Sequence, residues 1–365
     1  MPAATFQATR DATSLREEIL EHGFDADRGR ALAEALENEG HFLNALEAFL
    51  HANRARRDPA VEQRIMHLRL RAVAELDRSV PPPAWPPVVP EDASGPPDTP
   101  PVVTPSELTV GVVRNGVLRH GSVLVRGLVP RVRVARLRQA IDRAFEAYDA
   151  TVAGKPSVDS ATWYSPLDGI QNPVLTRTWR REANGFLAAD SPRFFFEMLE
   201  TVHEIGLDAL IAAYLGERPV LSAEKVTLFR LHADDPRLHE VSWHQDGAFL
   251  GKGIRTLNAW FCLSRCGRDA PGMALMPVAL KRILPVGEKG AHYDWSLSPD
   301  TVAREMMGVQ AWRPECEEGD VLLFDHFTLH RTAADPGMPN TRYAFETWFF
   351  APSVYPEGLS TPLVA

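Results

Sequence analysis

Proline divides this chain before any other feature does. The stretch 81–105 (PPPAWPPVVPEDASGPPDTPPVVTP) holds 11 of the 30 prolines. Such a segment can be neither a helix nor a central strand, because each proline fixes φ and removes a backbone donor. It reads as an extended, semi-rigid linker. Three parts follow: residues 1–80, the linker 81–105, and residues 106–365. The charge balance changes at the same place. Residues 1–105 carry 11 Arg, no Lys and 17 Asp+Glu, net −6, whereas the remainder carries 28 basic and 31 acidic residues, net −3. With 45% hydrophobic and 24% charged residues in 365, the chain has enough apolar surface to bury a sizeable core.

An overall charge of −9 argues against binding nucleic acid through phosphate neutralisation. No apolar run reaches the ~18–20 residues that span a bilayer. The first ten residues contain no apolar core of a secretory signal. Cys262, Cys266 and Cys316 are too few and too irregularly spaced for a disulfide framework, and no C-x-x-C zinc pair is present. A reduced, cytoplasmic location is the expectation.

Before the linker the pattern is helical. Runs at 27–39 and 42–56 flank Gly40, and a third at 59–78 carries Pro59 in its first turn. Glu39–Phe49 resembles the helix-turn-helix of a tetratricopeptide repeat, with Gly in the turn and small Ala at the contact. A generic three-helix cap fits equally well, and one or two repeats fall short of the ~3 that a free-standing solenoid needs. Packing on the rest of the chain, on another subunit or on a protein partner is the expected use of this module.

After the linker, Ser122–Gly127 reads as a short strand and Arg131–Ala150 as an amphipathic helix. Residues 151–191 read as a long irregular loop of the kind that forms lids or substrate walls, and 193–215 as a helix. Strand-type runs then dominate: Val220–Leu231, Val241–Asp246, Thr256–Leu263, Gly272–Met276, Val309–Trp312, Val321–Asp325 and Arg342–Phe350. Helices first and strands afterwards indicate an α+β arrangement built on a sandwich or barrel.

The chemistry concentrates in Ser242-Trp243-His244-Gln245-Asp246-Gly247. On a strand, residues i and i+2 share a face, so His244 and Asp246 project together. An imidazole and a carboxylate are a large part of a mononuclear metal site. A second histidine is then needed from a distant strand, and His326 and His330 compete for it. Two histidines and one carboxylate on one face of an iron leave three positions open, as in the non-heme Fe(II) oxygenases.

Residues 106–365 resemble the phytanoyl-CoA dioxygenase family of Fe(II)/2-oxoglutarate oxygenases. Gly121–Ile141 resembles the family's entry strand and first helix, His244-Gln245-Asp246 its H-x-D motif, and Gly319–Phe324 the strand leading to its distal histidine. The resemblance selects His330 over His326. Thr332 stands where the family has H-x-S/T, Arg342 falls 12 residues after His330, and Trp260 matches an aromatic lining the oxoglutarate pocket. One stretch departs from the pattern: Gly272–Arg282 keeps a proline and a basic end but lacks the family's Gly-Ser-His turn.

The resemblance implies a double-stranded β-helix (jelly-roll, cupin-like) core with flanking helices. It implies Fe(II) held by His244, Asp246 and His330, with 2-oxoglutarate and O₂ as cosubstrates. Arg342 and Thr332 would take the far carboxylate, since arginine offers a bidentate, permanently charged fork. Gln245 and Trp260 would neighbour the chelating end. The expected reaction is hydroxylation of a small molecule, or a desaturation or ring closure proceeding from the same substrate radical, with Trp163, Tyr164, Arg180 and Arg181 of the long loop as candidate substrate contacts. A halogenase of this fold lacks the carboxylate ligand, which Asp246 supplies. Two other readings compete: a metal-binding jelly roll without oxidative chemistry, and a partner-binding scaffold using the helical module.

Overall fold

The computed structural model describes residues 11–76, 84–87, 99–170, 177–182, 184–235, 242–359 and 362–365. The chain divides into two compact units, Met1–Ser79 with Val364, and Val80–Leu363 with Ala365. Most of the proline-rich linker lies outside the described residues.

The first unit is helical: α1 (Ala12–His22), α2 (Ala26–Asn38), α3 (Phe42–Ala55) and α4 (Pro59–Arg71), followed by a 3₁₀ turn at Ala72–Glu75. Asp11, Asp25 and Asp58 each cap the helix that follows, accepting from the first free backbone N–H groups. The first of these helices was not expected from sequence, because only Ala12 and Leu15 of it are buried and Leu20 is exposed, so no apolar stripe recurs along it. Gly40, at φ 85°, makes the turn between α2 and α3. Ala33, Ala45 and Ala52 are fully buried there, so the two backbones approach closely. No side chain at His41 caps α3; instead Glu75 accepts from the backbone N–H groups of Phe42 and Leu43.

The second unit is a jelly-roll core with helices. Its strands are β1 (Val102–Val103), β2 (Ser122–Val125), β3 (Gly185–Leu187), β4 (Val220–Leu231), β5 (Thr256–Cys262), β6 (Gly272–Leu275), β7 (Val321–Phe324), β8 (His330–Ala333) and β9 (Arg342–Phe350). In the major sheet the order is β1-β2-β7-β5-β9-β4, with β3 also on β4; β1 and β2 are parallel and the others antiparallel. A minor sheet pairs β6 with β8, and single bridges attach His244 and Trp312 to it.

Helices α5 (Val110–His120), α6 (Arg131–Val152), α7 (Ser160–Trp163), α8 (Arg177–Glu182), α9 (Pro192–Glu204), α10 (Leu207–Leu215), α11 (Gly247–Leu250) and α12 (Pro299–Glu305) complete the unit. The apolar stripe of α6 (Val134, Leu137, Ile141 and Phe145) is buried, as its spacing requires.

Several expectations are corrected. The helix read over 193–215 is two helices, broken where Gly206 adopts φ 68°. The long loop 151–191 contains α7, α8, β3 and a 3₁₀ turn at Ala188–Asp190. Val309–Trp312 is not a strand; only Trp312 pairs, with Leu275. Val241–Asp246 is not one either. Val241 lies outside the described residues, and among 242–246 only His244 makes a bridge.

Register places the functional face. Directly paired residues share a face, so Trp260 lies beside Glu346, Asn258 beside Trp348 and Cys262 beside Ala344. Arg342 shares that inner face by alternation along β9. In β4 the register slips between Leu221 and Val226, so that residues 222–225 stand opposite Trp348 alone. This bulge changes which residues of β4 point inward.

Candidate metal centre

The two histidines come together through the backbone. His244 N–H donates to the His330 carbonyl and His330 N–H to the His244 carbonyl, each at 3.0 Å. A reciprocal pair of this kind puts both side chains on one side, and their ring centroids lie 4.4 Å apart. The lone bridge thus does what a full strand was expected to do. Asp246 follows on the turn into α11, where Gly247 N–H donates to the His326 carbonyl at 2.9 Å. A Cβ at Gly247 would stand 2.3 Å from Ile283 Cδ1 and 3.0 Å from that carbonyl oxygen, so the close approach requires glycine.

The ligand atoms of His244, Asp246 and His330 lie within 4.8 Å of one another. Each imidazole donates from Nδ1 to a backbone carbonyl two residues earlier: His244 to Ser242 at 3.0 Å, His330 to Thr328 at 2.9 Å. That leaves each Nε2 as a lone-pair donor toward the centre. Burial, reinforced for His244 by the neighbouring His330, lowers both histidines below the ordinary value, His244 to about 4, so both imidazoles are neutral and able to bind a metal. Burial would raise Asp246, but the positive charge of Lys225, reinforced by its hydrogen bond, outweighs it and holds the carboxyl at about 2. Lys225 Nζ donates to Asp246 Oδ1 at 2.8 Å, both groups being buried.

The donor set fits Fe(II): two neutral nitrogens and one ionised oxygen converge, with no fourth protein ligand within that radius among the described residues. His326 is not part of the cluster; its Nδ1 lies 3.1 Å from Thr256 Oγ1. Arg331 turns outward over the Trp243 ring, its Cζ 5.1 Å from the centroid.

The inner face also fits an anionic, oxygen-rich cosubstrate. Arg342 is 2% exposed, donates from Nη1 to the Gly272 carbonyl at 2.9 Å, and leaves Nε without a partner. Its guanidinium lies against Trp260 and Phe229, 5.5 and 5.8 Å from the ring centroids. Burial lowers its pKa, a cost that a bound carboxylate removes. Both amide atoms of Asn258 and Nε1 of Trp348, on the same face, are likewise buried without partners. Thr332 lies two residues beyond His330 on β8 and so shares its face.

The other expected contacts divide. Gln245 does not face the pocket: its amide donates to the Arg282 and Phe327 carbonyls at 3.0 and 2.6 Å and accepts from Leu284 N–H at 2.7 Å. It fastens the loop behind the ligands. Arg180 is buried, and its charge feels Glu346 and Asp246. Arg181 instead makes a bidentate pair with Asp149 at 2.9 Å on α6. Tyr164 packs among Tyr148 and Phe186, and Trp163 lies under Arg193, so neither reaches the ligands. Sequence reasoning missed Lys225, Asn258 and Glu346. Lys225 carried a signal, since the chain has only five lysines and this one interrupts a β-type run.

The phytanoyl-CoA dioxygenase (PhyH) family model matches residues 117–336, and the chain belongs to that family. In kind it is a non-heme iron, 2-oxoglutarate-dependent oxygenase, with Fe(II), 2-oxoglutarate and O₂ as its cofactor and cosubstrates. Similar solved structures include AviO1 from Streptomyces viridochromogenes, at 20% identity over 66% of this chain and 93% of that one, with a TM-score of 0.41. EvdO2 from Micromonospora carbonacea var. aurantiaca, complexed with 2-oxoglutarate, is 17% identical over 67% and 89%, with a TM-score of 0.40. The non-heme alpha-ketoglutarate-dependent carbocyclase SnoK from nogalamycin biosynthesis is 15% identical over 68% and 85%, with a TM-score of 0.44. No curated protein matches the chain by sequence. Among the described residues no helix is long and apolar enough to cross a membrane.

Proposed function

We propose that the chain hydroxylates an unactivated C–H bond of a small molecule. His244, Asp246 and His330 hold Fe(II), and Arg342 and Thr332 hold the far carboxylate of 2-oxoglutarate. Bound iron, 2-oxoglutarate and O₂ supply the oxidising power that removes hydrogen from the substrate, with succinate and CO₂ released.

The protein's own groups position and protect. The Ser242 and Thr328 carbonyls fix the imidazole tautomers. Lys225 keeps Asp246 ionised and orients its second oxygen, Oδ2, which lies 3.4 Å from His330 Nε2. Arg342 offers a desolvated fork to a carboxylate, and Trp260 and Phe229 exclude water around it. Glu346, on the inner face beside Trp260, and buried Arg180 are the proposed substrate-facing pair.

The observation that favours hydroxylation over halogenation is Asp246 itself; desaturation or ring closure from the same substrate radical is the second reading, and the label in the product separates them. A carboxylate fills the position that a halide would need and supplies the negative charge a halide would bring. Turnover of a metabolite library under ¹⁸O₂ in excess chloride tests this by mass spectrometry. The expected product carries one labelled oxygen and no chlorine. A chlorinated product, or loss of two hydrogens without label, overturns hydroxylation.

A further inference from the structure

Cys262, Cys266 and Cys316 play no part in the oxygenase site, yet the fold gathers them into one place. Cys262 ends β5, Cys266 lies in the turn beyond it, and Cys316 lies in the segment before β7. Cys266 and Cys316 exchange backbone hydrogen bonds in both directions at 3.0 Å, which puts their side chains on one side. Cys262 Sγ stands 3.5 Å from Cys266 Sγ, and all three sulfurs lie within 4.8 Å of one another. The three residues are 0–2% exposed and form no disulfide.

We infer that these three sulfurs hold a closed-shell thiophilic ion, Zn(II) or Cu(I), as a second metal site. Metal–sulfur bonds of about 2.3 Å put the sulfurs of one ion about 3.8–4.0 Å apart. One observed spacing, 3.5 Å, falls just short of that range, and no pair is further apart than 4.8 Å, so small side-chain adjustments reach it. Sulfur as sole side-chain donor selects ions of this class over iron, magnesium or calcium. No imidazole or carboxylate joins the three among the described residues, so the side chains offer trigonal coordination. The Cys262 thiol donates to the Ser264 carbonyl at 2.9 Å, a proton it would give up on binding the ion.

The surroundings suit the charge. Three thiolates around either ion leave a net negative group, and Cys262 lies on the same inner face as buried Arg342, beside its neighbour Ala344. Arg342 donates to the Gly272 carbonyl, and a Cβ at Gly272 would stand 2.7 Å from Gly267 Cα, the residue after Cys266. The ion would therefore tie together three chain segments directly beneath the cosubstrate arginine. Its role is to hold that floor, not to touch substrate.

The test reads metal rather than activity, so it stands apart from the proposed hydroxylation. Full-length chain carrying His244→Ala and His330→Ala, which dismantle the iron site, is reduced anaerobically, stripped of metal and titrated separately with Zn(II), Cu(I) and Co(II). The expectation is one tightly held equivalent of Zn(II) or Cu(I), and a thiolate-to-cobalt charge-transfer absorption with Co(II). Cys266→Ala in that background should lose both, and Cys266→Ala alone should keep its equivalent of Fe(II). Should the cysteine variant not fold, the cobalt spectrum of the His244→Ala/His330→Ala protein decides. Absence of the thiolate band there, retention of the ion after Cys266→Ala, or a native chain two hydrogens light from a disulfide each overturns the inference.

Discussion

At the scale of single residues, the triad makes the sharpest demands. His244→Ala, Asp246→Ala and His330→Ala should each lower Fe(II) occupancy sharply and stop succinate formation, whereas His326→Ala should retain most of both; metal analysis beside a succinate assay checks this. If Arg342 holds the cosubstrate carboxylate as proposed, Arg342→Ala leaves that carboxylate unpaired in a buried pocket. Breaking a buried pair costs ~3–5 kcal/mol, a loss of roughly 100- to 1,000-fold or more in 2-oxoglutarate affinity. Titration calorimetry should show that loss with iron binding intact. Arg342→Lys, which keeps charge without the fork, should fall between.

Asp325, beside the distal histidine's loop, gives a pH signature. Burial raises its carboxyl to about 7, against the partial relief of hydrogen bonds from Phe327 N–H and the Thr328 hydroxyl. A raised acid favours the fold below its unfolded value of 3.8, and that contribution is lost as pH rises toward 7. Asp325→Asn should therefore be more stable than the native chain at pH 8 by about 2–3 kcal/mol beyond any difference at pH 5. Denaturation midpoints at the two pH values measure it; equal differences would contradict the assignment. His326, lowered to about 4 mainly by burial, has the opposite slope between 6.5 and about 4, so the native profile is flatter than either group alone would make it.

Elements were legible to the extent that a single local pattern controlled them. β4 and β9 begin and end where the sequence predicts, because β-branched and aromatic runs are bounded by Gly, Pro and polar turns. The H-x-D pair was legible although its strand was not. The reciprocal His244–His330 backbone pairing replaces the strand, and that pairing is long-range and invisible in a local window. Lys225 stood out as a rare lysine in a β-type run, but its face was not legible, because the bulge between Leu221 and Val226 changes which residues of β4 point inward. Gln245 was misplaced because its neighbours are ligands while its own side chain points into the loop behind them. The turn carrying Asp246 yields an element-scale prediction. Gly247→Val should push Ile283 and the His326 carbonyl apart, lowering iron occupancy along with thermal stability. Unchanged iron content in a destabilised variant would show that the turn does not set the Asp246 position.

For the whole molecule, composition and patterning sufficed for the α+β class and for the helical character of the first part. The gathering of three cysteines separated by up to 54 residues was out of reach, since it depends on how β5 and the approach to β7 meet. The proline-rich segment leads us to propose that residues 1–80 fold separately from the oxygenase domain. A chain beginning at Thr104 should then stay folded and bind Fe(II) and 2-oxoglutarate as the full chain does. Loss of either would assign the N-terminal helices to the core.

The central claim is that this site couples iron to 2-oxoglutarate, and succinate release tests it most directly. Full-length protein loaded with Fe(II) anaerobically, given 2-oxoglutarate and then air, should form succinate and CO₂ in equal amounts, even without substrate. Omitting Fe(II), or His330→Ala, should abolish the signal. Iron-loaded protein that forms no succinate, or a His330→Ala variant that forms as much as the native chain, would contradict the account.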